Sequence, residues 1–535
     1  MTSNIPFADI LRRYCRWLLC LALLGSFAFQ NLGAAPQFLW AQAAGSMYPY
    51  TNGTMSIRSA LATDAGGNVY VTGGFRGNAM LGTNALVSFG PDANADGFIA
   101  KYDPDGRVLW IRQVGGESDD NGSGIGIDAE TNVYVTGYFQ GSASFGPTNV
   151  TSQGNYDVFI AKYSTTGTLL WVRTAGGTFR DQGNALALDG DGNVCITGEF
   201  NLTAAFGAIT LTNVWQDDVF ITKLDKDGNF LWASAGGGIS QDFGFGIAAD
   251  QTGNVYVTGY IQYTNTFGTI TVPPLFEPPY WYDVFVAKYD SAGVPVWVRR
   301  AGSASGDGGE AVAVDCLGNV YVTGWLGGPS IFGSTNLPTG GSFLAKYTGS
   351  GEVEWVRLGE YGEGNAVTCD AQGNVYVAGD ALLSIYTEGG HGGRDIIVSK
   401  YDAKGTRLWL QNAGSSNWDA GFAIVIDSAS NIYLAGSFMG NDSDLTARFG
   451  SLSLTNSGVG HHDNFVAKLE STGVSLHIQP IGGRIKLSWS PLMPELILQQ
   501  STNLLQTNGW MTLPNGTNGV ELSPTASQSF FRLIR

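Results

Sequence analysis

Seven copies of one short stretch constrain this chain more than anything else in it. Gly253-Asn254-Val255-Tyr256-Val257-Thr258-Gly259 has counterparts centred on Asn68, Asn132, Asn193, Asn319, Asn374 and Asn431, at a spacing of about 60 residues. Self-similarity at such a period points to a solenoid, a propeller or an array. Each unit carries four short runs of β-branched and aromatic residues bounded by Gly, Asn and Asp, which is the signature of strands and tight turns. In the Asn132 unit they are Gly124 to Asp128, Asn132 to Phe139, Asp157 to Tyr163 and Leu169 to Arg173. Four strands per repeat is the content of one propeller blade.

Two further series mark the third and fourth strands. Lys101, Lys162, Lys223, Lys288, Lys346, Lys400 and Lys468 recur in the third, and Trp40, Trp110, Trp171, Trp232, Trp297, Trp355 and Trp409 in the fourth. The series are out of phase, because Trp40 precedes the first Asn and no equivalent Trp follows Lys468. The expectation is an all-β, seven-bladed β-propeller over residues 36–473. Its closing blade takes three strands from the C-terminal side and the orphan strand at Trp40 from the N-terminal side. Closure of this kind removes exposed sheet edges; an open solenoid is the alternative.

The units at Gly-Asn-Val-Tyr-Val-Thr-Gly, Asp-Val-Phe-Ile-Ala-Lys-Tyr and Leu-Leu-Trp-Val-Arg resemble the SBBP-type β-propeller repeat family over roughly residues 37 to 470. The resemblance implies an exported protein, often with accessory β-sandwich modules, and implies no shared catalytic residues. Residues 474–535, with Leu487-Ser488-Trp489, Leu498-Gln499-Gln500-Ser501, Trp510 and Phe530-Phe531-Arg532-Leu533, resemble a short fibronectin-III-like module. They are expected to form a small β-sandwich-like module.

Residues 1–35 have the order of a secretory signal peptide. Arg12, Arg13 and Arg16 lead into an apolar run from Trp17 to Phe29, and Gly33-Ala34-Ala35 follow. The run is short for a membrane span, so no stable span is expected after cleavage. An uncleaved anchor is the alternative. The expected location is outside the cytoplasm: extracellular, at the cell surface or periplasmic. The formal charge of −17 argues against a nucleic-acid partner, since phosphate binding needs clustered Lys and Arg. Cys195, Cys316 and Cys369, beyond the leader, show no disulfide framework.

Chemistry is harder to read. Asp189-Gly190-Asp191-Gly192-Asn193 and Asp225-Lys226-Asp227-Gly228 contain pieces of calcium loops but lack the full ligand set and the terminal Glu. Tight turns want the same residues, so no cofactor and no metal site is expected, with calcium as the alternative. Asp120, Asp181, Asp242, Asp307 and Asp419 open the first strands. They form either an acidic ring at the channel mouth or caps on turn N–H groups. His391 and the pair His461-His462 fall short of a zinc set. No catalytic residues are assigned.

The short turns share one face of the disc. The long second-to-third loops and the blade connections share the other, where a rigid scaffold usually carries function. A Phe-Gly hairpin recurs in these loops, at Phe145, Phe206, Phe267, Phe332 and Phe449, and reads as packing. Trp215, Tyr280, Trp281, Tyr282 and Trp418 lie on the same face and are the candidate ligand-binding residues. Aromatic rings on rigid loops suit stacking on sugars or clamping a peptide. The expected function is an exported, non-catalytic binding or scaffold protein with an extracellular glycan or protein partner. One alternative is an enzyme acting on extracellular polysaccharide through Asp242 and Asp307; the other is a purely structural cell-surface component.

Overall fold

The structure is a computed structural model that describes residues 36–46, 59–90, 94–277, 281–382, 391–440, 444–456 and 462–470, with six strands between Ser475 and Ile534. Every regular element among them is a strand. Residues 35–471 form one compact unit. Residues 1–35, where a signal peptide is expected, lie outside the described residues. In the C-terminal part, Ser475–Ile481, Arg484–Ser490 and Val520–Leu522 make one antiparallel sheet. Ile497–Ser501, Met511–Thr512 and Phe530–Ile534 make another.

The repeat sequence is explained by one turn. In the Asn254 repeat, Asp250 Oδ1 accepts the N–H groups of Thr252 (2.9 Å) and Asn254 (3.0 Å). Its Oδ2 accepts Asn254 Nδ2 (2.8 Å) and the Tyr256 hydroxyl (3.0 Å). Gly253 turns the corner at φ +83°, where a Cβ would be strained. The same Asp, Asn and Tyr bonds recur at Asp64, Asp128, Asp315, Asp370 and Asp427. The Lys of the third strand lies over the Tyr ring at 4.7 to 5.8 Å in six repeats, a cation–π contact. The exception is instructive. Cys195 replaces the Tyr in the Asn193 repeat, and Lys223 instead meets Asp189 directly at 2.8 Å. Burial pushes the Asp64, Asp128, Asp189 and Asp250 carboxyls up, but the bonds they accept outweigh it and hold them below the ordinary value.

The four strands of a repeat pair in order as an antiparallel meander; Phe243–Ala249, Val255–Ile261, Asp283–Tyr289 and Pro295–Ala301 make one such blade. The core is built blade on blade. Val284, Val286 and Trp297, for example, pack with Val320, Val322 and Phe343 of the next repeat. The fourth-strand Trp fastens the same joint, as its indole N–H donates to the third-to-fourth turn of the next repeat: Trp110 to Thr165 O (3.1 Å), Trp232 to Ser291 O (3.1 Å) and Trp297 to Gly349 O (3.1 Å). The N-terminal strand Phe38–Ser46 pairs antiparallel with His462–Leu469. Trp40 then donates to Pro104 O at 3.0 Å, and the Tyr433 hydroxyl reaches Gly67 O at 3.3 Å.

The Phe-Gly hairpins are straps. Phe145, Phe206, Phe267, Phe332 and Phe449 are fully buried and meet the third-strand Phe of their own blade at 4.9 to 5.1 Å. Each hairpin also pairs with the end of the fourth strand of the preceding repeat, as in Gly115↔Ser144, Gly176↔Ala205, Gly236↔Phe267, Gly302↔Ile331 and Gly414↔Arg448. The strap thereby covers a sheet edge. Much of each long loop is consumed in this way, and the surface left for ligands is correspondingly smaller.

In the Asn193 repeat the strap leaves room only for glycine at its closest approach, whereas Ser303 and Ser415 take the equivalent place in two other repeats. A Cβ on Gly177 would fall on the Thr203 carbonyl oxygen, whereas one on Gly146, at the hairpin tip with φ +73°, meets nothing within 4 Å. Gly177→Ala should therefore cost about 2–3 kcal/mol through backbone displacement. Gly146→Ala should cost only the left-handed penalty of about 1 kcal/mol. Urea unfolding of the two variants checks the difference, and equal losses would contradict the strap.

Candidate functional site

In six of the repeats the first strand is broken by a β-bulge. Its register with the second strand skips one residue, at Ser123, Asn184, Phe245, Glu310, Asn365 and Phe422. A bulge re-aims a side chain, and here it presents the extra residue to a central cavity of about 250 Å³ that all six line together with Ser59. These positions differ in chemistry from repeat to repeat, although the glycine before each is constant. A second variable position follows the Gly that ends the repeat motif: Gly74, Tyr138, Glu199, Tyr260, Trp325, Asp380 and Ser437. It sits at the loop-face end of the second strand, opposite the start of the first. Neither series was singled out from the sequence. The signal that reveals them is variation inside otherwise constant strands.

In the Asn254 and Asn319 repeats these positions assemble an aromatic wall. The Tyr260 and Tyr282 rings are 4.6 Å apart. Phe243 and Phe245 each lie 5.1 Å from Tyr260 and stack on each other at 5.9 Å. Next to them, Gly308 lacks the side chain that would collide with the Trp325 indole, and Gly306 packs against Trp325 and borders Trp281. The Trp325 N–H donates to Glu310 Oε1 at 3.2 Å. Trp281 remains 57% exposed. Charged pairs flank the wall, with Arg180 on Glu199 (3.1 Å) on one side and Arg394 on Asp380 (2.7 Å) on the other.

The sequence candidates are divided among three places. Trp281 and Tyr282 belong to the wall. Trp418 is half-exposed and stands over the Arg394 guanidinium at 5.7 Å, with His462 at 6.4 Å. Trp215 lies inside Ile209–Leu224, between its two paired stretches, and is 70% exposed. Tyr280 lies outside the described residues, as does His461. The calcium-loop fragments have their oxygens filled by the protein's own donors. Asp189 accepts Asp191 N, Asn193 N, Asn193 Nδ2 and Lys223 Nζ. Asp225 accepts Asp227 N, Asn229 N and Asn229 Nδ2.

The first-strand Asp series is structural in its geometry. Asp120, Asp181, Asp242, Asp307 and Asp419 are fully buried. One oxygen of Asp242 accepts Gly238 N (2.9 Å) from the preceding repeat's outer-strand connection, and the other accepts Gln262 N (2.9 Å) from its own second strand. Asp307 does the same with Ser303 N and Gly327 N. The third-strand Asp96, Asp157, Asp283 and Asp395 lie close by, around Gly115, Gly176, Gly302 and Gly414. Burial pushes Asp120 up to about 8 and Asp181, Asp307 and Asp419 up to about 7, with the neighbouring carboxylates adding to it. Burial likewise pushes Asp96, Asp157, Asp283 and Asp395 up to about 6.

Comparison with known proteins agrees with the repeat. The family described as SBBP, beta-propeller repeat, matches residues 109–138 and 235–265. An uncharacterized WD repeat-containing protein, L264 of Acanthamoeba polyphaga mimivirus, is 26% identical over 338 residues, or 51% of this chain and 24% of that protein. The regulatory protein FlaEY of Caulobacter vibrioides is 25% identical over 181 residues, or 32% of this chain and 18% of its own length. The chain thus spans a quarter or less of these relatives. Among solved structures, the C-terminal WD40 domain of Sif2 has a TM-score of 0.31 at 9% identity, covering 82% of this chain and 97% of that one. The NanB sialidase from Streptococcus pneumoniae has a TM-score of 0.35 at 9% identity, covering 82% and 71%. This chain is an all-β protein of β-propeller repeats.

The buried carboxylates make stability depend on pH with a definite sign. Their folded-state values lie above the ~4 of an unfolded Asp, so the native state holds extra protons between about pH 4 and pH 8. What they contribute is complete below pH 4 and is lost as pH rises through 6 to 8. The turn carboxylates, whose values are depressed, act oppositely and lose their contribution below pH 4. The midpoint of thermal unfolding should be highest near pH 5 and lower by at least about 3 °C at pH 8.5. Asp181→Asn, an imitation of the protonated acid, should narrow that difference. A midpoint that rises towards pH 8.5 would contradict the assignment.

Proposed function

We propose that this is an exported, non-catalytic protein that binds a glycan on the loop face of a seven-bladed propeller. Closure of the ring is supported by the pairing of Phe38–Ser46 with His462–Leu469. It is supported further by the Trp40 bond to Pro104, which repeats the bond other fourth-strand Trp residues make to their next repeat. The innermost strands also pack in series, and the first of them, Ala60–Thr63, packs against the last, Ala420–Ile426. Export rests on the order of charges, apolar run and small residues in 1–35. A small fibronectin-III-like module after residue 474 is part of the same proposal, supported by the paired strands there.

The observation that carries the glycan reading is the aromatic wall. Tyr260, Tyr282 and Trp325 are partly exposed, Trp281 is largely exposed, and Gln262 and Ser240 provide polar groups at its edge. Flat rings edged by hydrogen-bonding groups suit the apolar face and hydroxyl rim of a sugar. The wall stands on strand ends and on a connection tied to them, since Asp307 N donates to Tyr282 O at 2.9 Å. Its geometry is therefore preorganised, and a ligand need not order it. The alternative enzyme acting through Asp242 and Asp307 draws no support from two buried carboxylates occupied with backbone N–H groups.

Screening residues 36–535 on a broad array of neutral glycans should yield binding that Trp281→Ala or Tyr282→Ala weakens at least about tenfold, the size of one lost stacking platform. Leu317→Ala, on an exposed first-to-second-strand turn of the opposite face, should leave it unchanged. A folded protein that binds no glycan would overturn the reading in favour of a protein partner or a structural role.

A further inference from the structure

We infer that the central cavity, which adjoins the aromatic wall through Phe245 and the Glu310–Trp325 bond, is a second site and that it takes a small organic ammonium ion. Its volume of about 250 Å³ falls below the ~300–1,000 Å³ typical of drug-sized ligands, so a compact molecule is required. Among its described lining residues the ionisable side chains are Glu310 and Glu363, both acidic; Glu363 lies 3.8 Å from the Arg394 guanidinium, so Glu310 is the carboxylate that carries the inference.

The neutral polar groups also offer acceptors. Asn184 Nδ2 donates to Gly244 O (3.0 Å) and Asn365 Nδ2 to Gly421 O (3.1 Å). Each amide nitrogen is thus held by the neighbouring inner strand, which leaves the amide oxygen as the atom a ligand would use. Ser59 Oγ lines the cavity, is buried, and has no hydrogen-bond partner among the described residues. A buried hydroxyl without a partner is costly, and it points to something that occupies the space. Phe245 and Phe422 present the aromatic surface of the cavity, and a desolvated cation over such a ring is stabilised.

A carboxylate, acceptor oxygens and two phenyl rings select a positively charged donor over an anion or a neutral alcohol. A divalent metal fits less well, because no group of three His, Cys, Asp or Glu among the described residues could hold one. The net charge of −17 adds a field that draws cations into a low-dielectric cleft.

The test is calorimetric titration of residues 36–535 with n-butylammonium and choline, and with n-butanol as the neutral match, followed also by tryptophan fluorescence because Trp325 is bonded to Glu310. The expected result is that at least one cation binds below about 10 mM and n-butanol does not. Glu310→Gln should weaken the cation at least about tenfold, and Phe245→Leu about fivefold, with thermal midpoints close to the parent. Trp281→Ala, which tests the outer wall, should leave ammonium binding unchanged, so the two sites fail or succeed separately. Absence of cation binding to the parent protein, or equal binding of butylammonium and butanol, would overturn the inference. So would a folded Glu310→Gln or Phe245→Leu variant that binds as the parent does.

Discussion

Everything in the propeller unit leans on a carboxylate that has been filled with donors. The turn Asp takes two backbone N–H groups, an Asn amide and in most repeats a Tyr hydroxyl, and the third-strand Lys rests on that Tyr. Such an arrangement orders four residues from three strands at one end of each blade. The Tyr is thereby held upright in the interior, where burial and the adjacent Asp push its phenol up. Fully buried, it also packs beside the fourth-strand Trp, with Tyr256 and Trp297 rings 6.4 Å apart. From the Trp the constraint passes to the next repeat through the indole N–H. One short motif therefore fixes a turn, a blade and a joint, which is why it recurs with so little change.

That recurrence is also why the fold was so legible. Alternating β-branched residues, the Asn-centred turn and the Lys and Trp series each mark a strand or turn that the structure contains. The straps were legible in their Phe-Gly signature as packing hairpins, but their second partner was not. Pairing to the preceding blade depends on backbone approach at residues such as Gly177 and Thr203, which are 26 positions apart and carry no mutual signal in one sequence. The Asp series was legible as a choice between a ring of free acids and turn caps. Its position at the start of each first strand is compatible with both, and only the N–H groups of Gly238 and Gln262 show where the oxygens of Asp242 go.

The candidate site was less legible for a physical reason. Exposed aromatics such as Trp281 stand out in a Pro-rich loop, so the eye is drawn to loops. The residues that build a surface with them, Tyr260, Trp325 and Phe245, are embedded in strands that look like every other strand. Their roles follow from where a strand ends and where a bulge occurs, not from residue type. Trp215 and Trp418 share residue type with Trp281, yet Trp215 stands within Ile209–Leu224 and Trp418 in a blade connection, and the wall does not include them.

In this repeat protein the constant and the variable residues occupy separate positions. Turn Asp, Asn, Tyr, Lys, Trp and the strap Phe are all committed to neighbours within the scaffold, so none can be altered for a ligand without loosening a joint. The bulge residue and the residue after the motif Gly stand outside that constant set, although several make bonds of their own, as Asn184 does to Gly244 O and Trp325 to Glu310. A bulge leaves its extra residue out of the ladder, and the side chain there can range from Ser123 to Phe422 while the strands on either side keep their pairing. Substitution at these positions leaves the pairing of the constant strands in place, so the residues lining the central cavity can vary one repeat at a time while the repeats remain nearly alike.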